Sequence, residues 1–148
     1  MPNWTENPTF VAYAISCLVL SGNLLFLWAR SGAARGRSKT VMNPEDTRTV
    51  AKGAAVVTAD PPEVARILRA HANAMAMFVP FAILGLLYVL VGGSAGPAKV
   101  LFGVFVASRL FHSFVYLREI QPWRTIAFAV GGLTVLGLLG DVAWILLR

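Results

Sequence analysis

The sequence has little charge and almost no cysteine. Only 14% of its 148 residues are Asp, Glu, Lys or Arg, and Cys17 is its single cysteine. One cysteine excludes both an intramolecular disulfide and a metal cluster built on cysteines. A soluble domain carries about 25% charged residues, which give its core a hydrated surface. The chain is therefore not composed like an ordinary soluble domain.

Several motifs that carry chemistry are also missing. The sequence shows no carboxylate pair arranged for acid–base catalysis, no Cys/His metal cluster, no Gly-rich phosphate loop, no Ser/His/Asp arrangement and no internal repeat. We therefore expect no resident metal ion and none of the hydrolytic or nucleotide-binding sites that such motifs build.

The chain is instead rich in apolar residues. Hydrophobic residues make up 57% of it, and the mean hydropathy is +0.66. This composition excludes disorder and predicts an all-α integral membrane protein, because about 20 apolar residues cross the hydrocarbon core as a helix. The uncharged stretch Asn7–Ala29 is not a signal peptide, since no positive charge precedes it and its apolar part is too long. The predicted spans are about 9–29, 62–92, 97–118 and 123–147, with a loop over 30–61.

The basic residues are concentrated in that loop and its flanks. Between Arg30 and Arg69 there are eight basic residues and four acidic ones. The positive-inside rule therefore places the loop in the cytoplasm and both chain ends outside. Topology accounts for most of the net charge of +6, so we expect no nucleic-acid partner. The preference for Arg, Ala and Gly suggests a bacterial inner membrane; a eukaryotic relative would lie in the endoplasmic reticulum.

The start of the second helix is also indicated by the sequence. Asp60, which precedes two prolines and Glu63, is predicted to cap that helix.

Polar side chains recur at helical spacing inside the spans. Arg109, His112 and Tyr116 share one face of the third helix, and Arg69 and Asn73 form a stripe on the second. Charges inside a membrane are costly and therefore usually functional or paired. Arg124 and Thr125 begin the fourth helix, where free N–H groups and the positive dipole end favour an anion. Together the stripes predict a cationic pocket for a small polyanion, able to stabilise a bound thiolate beside an apolar substrate from the bilayer.

Some of these residues also fit a structural role without a ligand. Most of the basic residues over 30–52 fit topology and lipid headgroups, and His112 fits a hydrogen-bonded packing residue. An ion or proton pathway through Arg109 and His112 is a weaker interpretation, because the spans carry no acidic relay.

Four blocks of residues carry a resemblance to a known family. They are Asn43-Pro44-Glu45-Asp46, Arg69-Ala70-His71-Ala72-Asn73 with Pro80-Phe81, Arg109-Leu110-Phe111-His112 with Tyr116-Leu117, and Pro122-Trp123-Arg124-Thr125. In combination they resemble the membrane-associated proteins in eicosanoid and glutathione metabolism, the MAPEG family. The resemblance covers almost the whole chain and is closest to the microsomal prostaglandin E synthases and glutathione transferases.

The resemblance implies a four-helix bundle that assembles as a homotrimer and binds glutathione between neighbouring subunits. Arg124 would activate the thiol, Thr125 would supply a hydroxyl, and Asp46 would work with Arg124. The residues implied to hold glutathione are Arg35, Arg69, Asn73, Arg109, His112 and Tyr116.

The sequence departs from the family pattern on the second helix. The family motif is approximately Arg-Ala-His-Arg-Asn-x-x-Glu, but here Ala72 replaces the second arginine and Ala76 replaces the glutamate. The resemblance assigns that glutamate to the γ-glutamyl amino group. A tyrosine of the fourth helix falls at Phe128. Two functions therefore remain open: a glutathione-dependent transferase, peroxidase or isomerase acting on a lipophilic electrophile, and a non-catalytic member that binds a lipid or other amphiphile.

Overall fold

The computed structural model describes residues 3–148 and contains four long helices. The helices are α1 (Pro8–Ser38), α2 (Pro62–Leu90), α3 (Ala95–Leu117) and α4 (Trp123–Leu147). All four are long and apolar enough to cross a membrane. Many of their large apolar side chains are exposed, including Leu18, Trp28, Leu133 and Trp144. The predicted four-helix, multi-pass membrane architecture is therefore confirmed.

Helix α1 is longer than its apolar stretch. It begins after Asn7, whose side chain accepts hydrogen bonds from the backbone N–H groups of Thr9 and Phe10. The loop was expected from residue 30, but the helix continues to Ser38 and ends at Lys39, which adopts the left-handed conformation. A helix that leaves the membrane needs no apolar residues to continue in water. Basic residues in its last turn also offset the negative end of the helix dipole.

The expected capping role of Asp60 is wrong. Helix α2 begins at Pro62, and no side chain caps it. The Asp60 carboxylate instead accepts hydrogen bonds from Arg35 at the end of α1, both at 3.1 Å. An ion pair with two parallel hydrogen bonds competes well with a cap, because both groups are charged.

The connection between α1 and α2 is folded. Two short parallel strands, β1 (Thr40–Val41) and β2 (Ala55–Val56), bring its two ends together. A short 3-10 helix, Pro44–Arg48, lies between these strands in the chain and carries Asp46. The loop therefore holds Asp46 close to the end of α1.

The helices pack as a rhombus. Helices α2 and α3 contact each other across the centre, and each of them also contacts α1 and α4. Helices α1 and α4 lie at opposite corners and do not contact each other. Aromatic rings from the two central helices fill the core, where Phe81 stacks on Phe105 with ring centres 4.3 Å apart. The rings of Phe102 and Phe81 meet edge to face. This core lies beside the polar stripe of α3 and fixes the position of that stripe against α4.

Candidate functional site

The polar stripe of α3 faces into the bundle, as its spacing predicts. Arg109 and His112 are 2% and 3% exposed, and Tyr116, one turn further on, is half-buried. The His112 and Tyr116 rings lie 5.5 Å apart. Because these residues recur every three or four positions, the helix presents them as one continuous row.

Helix α4 brings Arg124 against the end of this row. The Arg124 guanidinium carbon lies 5.1 Å from the centre of the Tyr116 ring, within the range of a cation–π contact. Thr125 Oγ1 lies 3.2 Å from the side-chain amide of Gln121. When its oxygen faces Arg124, the Gln121 amide accepts hydrogen bonds from Arg124 Nε at 3.2 Å and from Arg124 Nη2 at 2.7 Å. The amide nitrogen of Gln121 then donates to Thr125 Oγ1. Gln121 therefore connects the two residues that begin α4.

Phe128 completes the contact between the two helices. Its ring centre lies 6.2 Å from that of His112 and 6.0 Å from the Arg109 guanidinium carbon. We call the set that lies between α3 and α4 the α3–α4 cluster. Its members are His112, Tyr116, Gln121, Arg124, Thr125 and Phe128.

The expectation of free amides at the start of α4 is wrong. The backbone N–H of Arg124 donates to the carbonyl of Ile120, and those of Thr125 and Ile126 both donate to Pro122. Turn hydrogen bonds therefore occupy these donors. Positive charge at this helix end comes from the Arg124 side chain and the helix dipole.

Arg109 lies behind the cluster, in the centre of the bundle. It borders a small internal cavity together with Asn23 of α1 and Ala74 of α2. Its three guanidinium nitrogens have no hydrogen-bond acceptor among residues 3–148. Arg109 therefore supplies positive charge from within the bundle and does not lie on its outer face.

Two predicted residues of α2 lie at the outside of the chain. Arg69 is exposed, and none of the described ion pairs includes it. Asn73 is half-buried, and its Oδ1 has no hydrogen-bond partner within the described chain. Ala72 and Ala76 are exposed on the same helix. This part of α2 therefore presents an accessible arginine and two methyl groups, whereas the amide oxygen of Asn73 is enclosed within the chain.

Arg35 and Asp46 form a separate group at the end of α1. They line one cavity of about 720 Å³. Arg35 is paired with Asp60, but its side chain remains 41% exposed. Within the described chain, no hydrogen bond or ion pair joins Arg35 or Asp46 to the α3–α4 cluster. One copy of the chain thus brings together only part of the predicted site.

Sequence reasoning missed two residues that orient the predicted arginines. Asp60 was assigned to a helix cap, and its pairing with Arg35, 25 positions away, has no local sequence signal. No sequence pattern singled out Gln121. Its position three and four residues before Arg124 and Thr125 was the available signal, because such spacing lets side chains meet at a helix start.

Comparisons with known proteins match the chain to one family and to named relatives. The model of the MAPEG family matches residues 3–144. Microsomal glutathione S-transferase 1 of Rattus norvegicus is 33% identical over 129 residues, covering 85% of this chain and 83% of the relative. Prostaglandin E synthase of Equus caballus is 34% identical over 115 residues, covering 77% and 74%. Prostaglandin E synthase of Homo sapiens is 28% identical over 140 residues, covering 94% and 91%.

Proposed function

Because the chain belongs to the MAPEG family, we propose that it is a glutathione-dependent membrane enzyme that acts on a lipophilic electrophile. The reaction is conjugation, peroxide reduction or isomerisation. Relatives named glutathione S-transferase and prostaglandin E synthase support this class of activity. In each of the three reactions the thiolate of glutathione is the reactive form, so the protein must stabilise a sulfur anion.

The observation that carries this proposal is the position of Arg124. Its guanidinium is held by the Tyr116 ring and the Gln121 amide at the positive end of α4. A permanently charged donor held in this way stabilises a nearby thiolate without having to reorganise. Thr125, the next residue, places a hydroxyl beside it. We assign thiolate stabilisation to Arg124 and Thr125, with Asp46 as the partner of Arg124.

We assign glutathione binding to six residues, which are Arg35, Arg69, Asn73, Arg109, His112 and Tyr116. In one copy of the chain Arg35 and Asp46 are not in contact with the α3–α4 cluster, whereas Arg69 is exposed at the outside. A site that uses all of these residues needs a second copy beside the first. This need supports an oligomer with glutathione between subunits, and the family resemblance implies that the oligomer is a homotrimer. The buried Arg109 contributes through charge, and His112 and Tyr116 form the inner wall.

We also propose an orientation in the membrane. The excess of basic residues between Arg30 and Arg69 favours a cytoplasmic loop, with both chain ends on the opposite side. Glutathione would then reach the pocket from the cytoplasm, and the apolar substrate would enter from the bilayer. A bacterial inner membrane fits the composition of the chain.

A non-catalytic role is the second candidate. A groove of about 480 Å³ between α1 and α2 is lined mainly by apolar side chains, among them Leu24, Leu25, Trp28 and Met75. Such a lining fits an acyl chain or another amphiphile. A protein of this kind would bind the amphiphile and give no thiol chemistry.

Conjugation of glutathione to 1-chloro-2,4-dinitrobenzene tests the first candidate. The glutathione sulfur attacks the ring carbon that carries chlorine; a C–S bond forms, the C–Cl bond breaks, chloride leaves with the bonding electrons, and the thiol proton passes to solvent. We expect turnover by the purified wild type. Arg124→Ala should lower kcat by about 100-fold, because it removes the charge facing the sulfur.

Arg118→Ala is the matched control. Arg118 is exposed and lies 5.5 Å over the Phe114 ring, so its loss removes a nearby arginine of the same surface without touching the cluster. We expect near wild-type rates from this variant. Equal loss in both variants, or full activity in Arg124→Ala, would remove Arg124 from the mechanism.

A further inference from the structure

The helices provide many cations to the proposed pocket but almost no carboxylates. Neither α1 nor α3 contains any Asp or Glu, α2 contains only Glu63, and α4 contains only Asp141. Asp141 follows Arg124 by 17 residues, which places it about 25 Å further along the helix axis. It therefore cannot meet a ligand held at the start of α4.

Three of the remaining acidic residues are paired with arginines, whereas Glu45 and Asp46 lie on the 3-10 helix of the loop without an ion pair among the described residues. Asp60 is paired with Arg35, and Glu119 with Arg66, at 3.1 and 3.0 Å. Glu63 is paired with Arg37 at 2.6 Å. Asp46 lines a cavity that also contains Arg35, Lys39 and Lys52. Helices α1–α4 therefore offer no unpaired carboxylate near the start of α4 for a ligand's ammonium group.

The accessible stretch of α2 confirms this charge pattern at the level of single side chains. Arg69 donates only, and Ala72 and Ala76 offer methyl groups. The amide oxygen of Asn73 is enclosed within the chain, and His71 is half-buried. Neither side chain is a carboxylate, and a neutral acceptor binds an ammonium less strongly than a carboxylate does.

We propose that this pocket recognises its thiol co-substrate by its anionic groups and does not select for a free α-amino group. The preferred class is a thiol that carries carboxylates, whether its amine is free, acylated or absent. This inference rests on the proposed function, because it concerns the same site.

The test compares glutathione with N-acetylglutathione, in which the α-amino group is an uncharged amide. Both are assayed with 1-chloro-2,4-dinitrobenzene on the wild type, Ala76→Glu and Ala76→Gln. We expect the wild type to use the two thiols with kcat/KM values within about threefold of each other. Ala76→Glu should favour glutathione by about 10-fold or more, because it adds a charge-assisted hydrogen bond to the ammonium. Ala76→Gln, of equal size and no charge, should keep the wild-type ratio.

The outcomes separate this inference from the function on which it rests. If the wild type turns over glutathione but prefers it to N-acetylglutathione by 10-fold or more, the inference is overturned and the function stands. An unchanged ratio in Ala76→Glu also overturns it, because the ligand's amine then lies elsewhere. If the folded wild type neither binds nor turns over either thiol, the proposed function falls and this inference falls with it.

Discussion

The packing of the bundle gives no reason for an arginine at position 109. Its side chain is 2% exposed in the centre of the bundle, and its guanidinium has no acceptor among the described residues. The nearest aromatic contact, to Phe128, is at 6.0 Å. A buried charge without a partner lowers stability, since the folded chain gives no compensation for the lost hydration. Its positive charge is therefore best explained by the ligand that we assign to this region.

We predict that Arg109→Met raises the stability of the protein while lowering its activity. Methionine keeps much of the length of the side chain and removes the buried charge, so the gain should be about 1–3 kcal/mol. Thermal unfolding of the detergent-solubilised protein measures it. Arg66→Met is the control; it breaks the ion pair with Glu119 and should leave the unfolding temperature unchanged or lower. A lower unfolding temperature for Arg109→Met would mean that Arg109 stabilises the fold.

At the scale of elements, the close approach of α1 and α2 depends on a glycine. A Cβ atom at Gly85 would lie 2.8 Å from Cδ2 of Tyr13, well inside normal contact. The Tyr13 hydroxyl donates to the backbone carbonyl of Ala82 at 3.0 Å, so the ring cannot turn away without losing that bond. The absence of a side chain at position 85 therefore allows the two helices to pack.

Gly85→Ala should destabilise the protein by about 1–3 kcal/mol, because the added methyl group forces the helices apart. Gly103→Ala is the matched control in α3, where an added Cβ has no neighbour within 4 Å. There the helix should gain about 0.5–1 kcal/mol from the better helix former. Chemical or thermal unfolding in detergent compares the two, and an equally stable Gly85→Ala would show that the helices do not approach this closely.

The sequence predicts the helices themselves but not the contacts between them. Long uncharged runs identified the four helices, because only a helix satisfies its own backbone in lipid. The end of α1 could not be read from hydropathy, since the helix continues past the apolar run to Ser38. Spacing placed Arg109, His112 and Tyr116 on one face. Local patterns do not encode how separate helices pack. They therefore could not predict that this face meets Phe128 and Arg124 of α4. They also could not predict that Arg35 pairs with Asp60.

Within the whole molecule, the residues that we assign to the active site lie in separate groups. Arg35 with Asp46, and the α3–α4 cluster, are two groups without mutual hydrogen bonds or ion pairs in the described chain. Exposed small and apolar residues along the helices, such as Ala72, Ala76 and Leu133, leave room for contact with further copies or with lipid.

We predict three copies of the chain in the functional particle. Native mass spectrometry of the protein released from detergent should show a trimer at concentrations where activity is measured. A monomer with full glutathione-dependent activity would contradict the proposed site between subunits, because Arg35 and the cluster would then have to act within one chain.

Calorimetric titration of glutathione into the purified wild type is the decisive test of the proposed function, because thiol chemistry at Arg124 requires that glutathione binds. We predict saturable heat with a dissociation constant in the millimolar range or below, and retained binding in Arg124→Ala, which removes the group facing the sulfur but leaves the other glutathione-binding residues. The absence of any heat from the folded wild type at millimolar glutathione would contradict the proposed function.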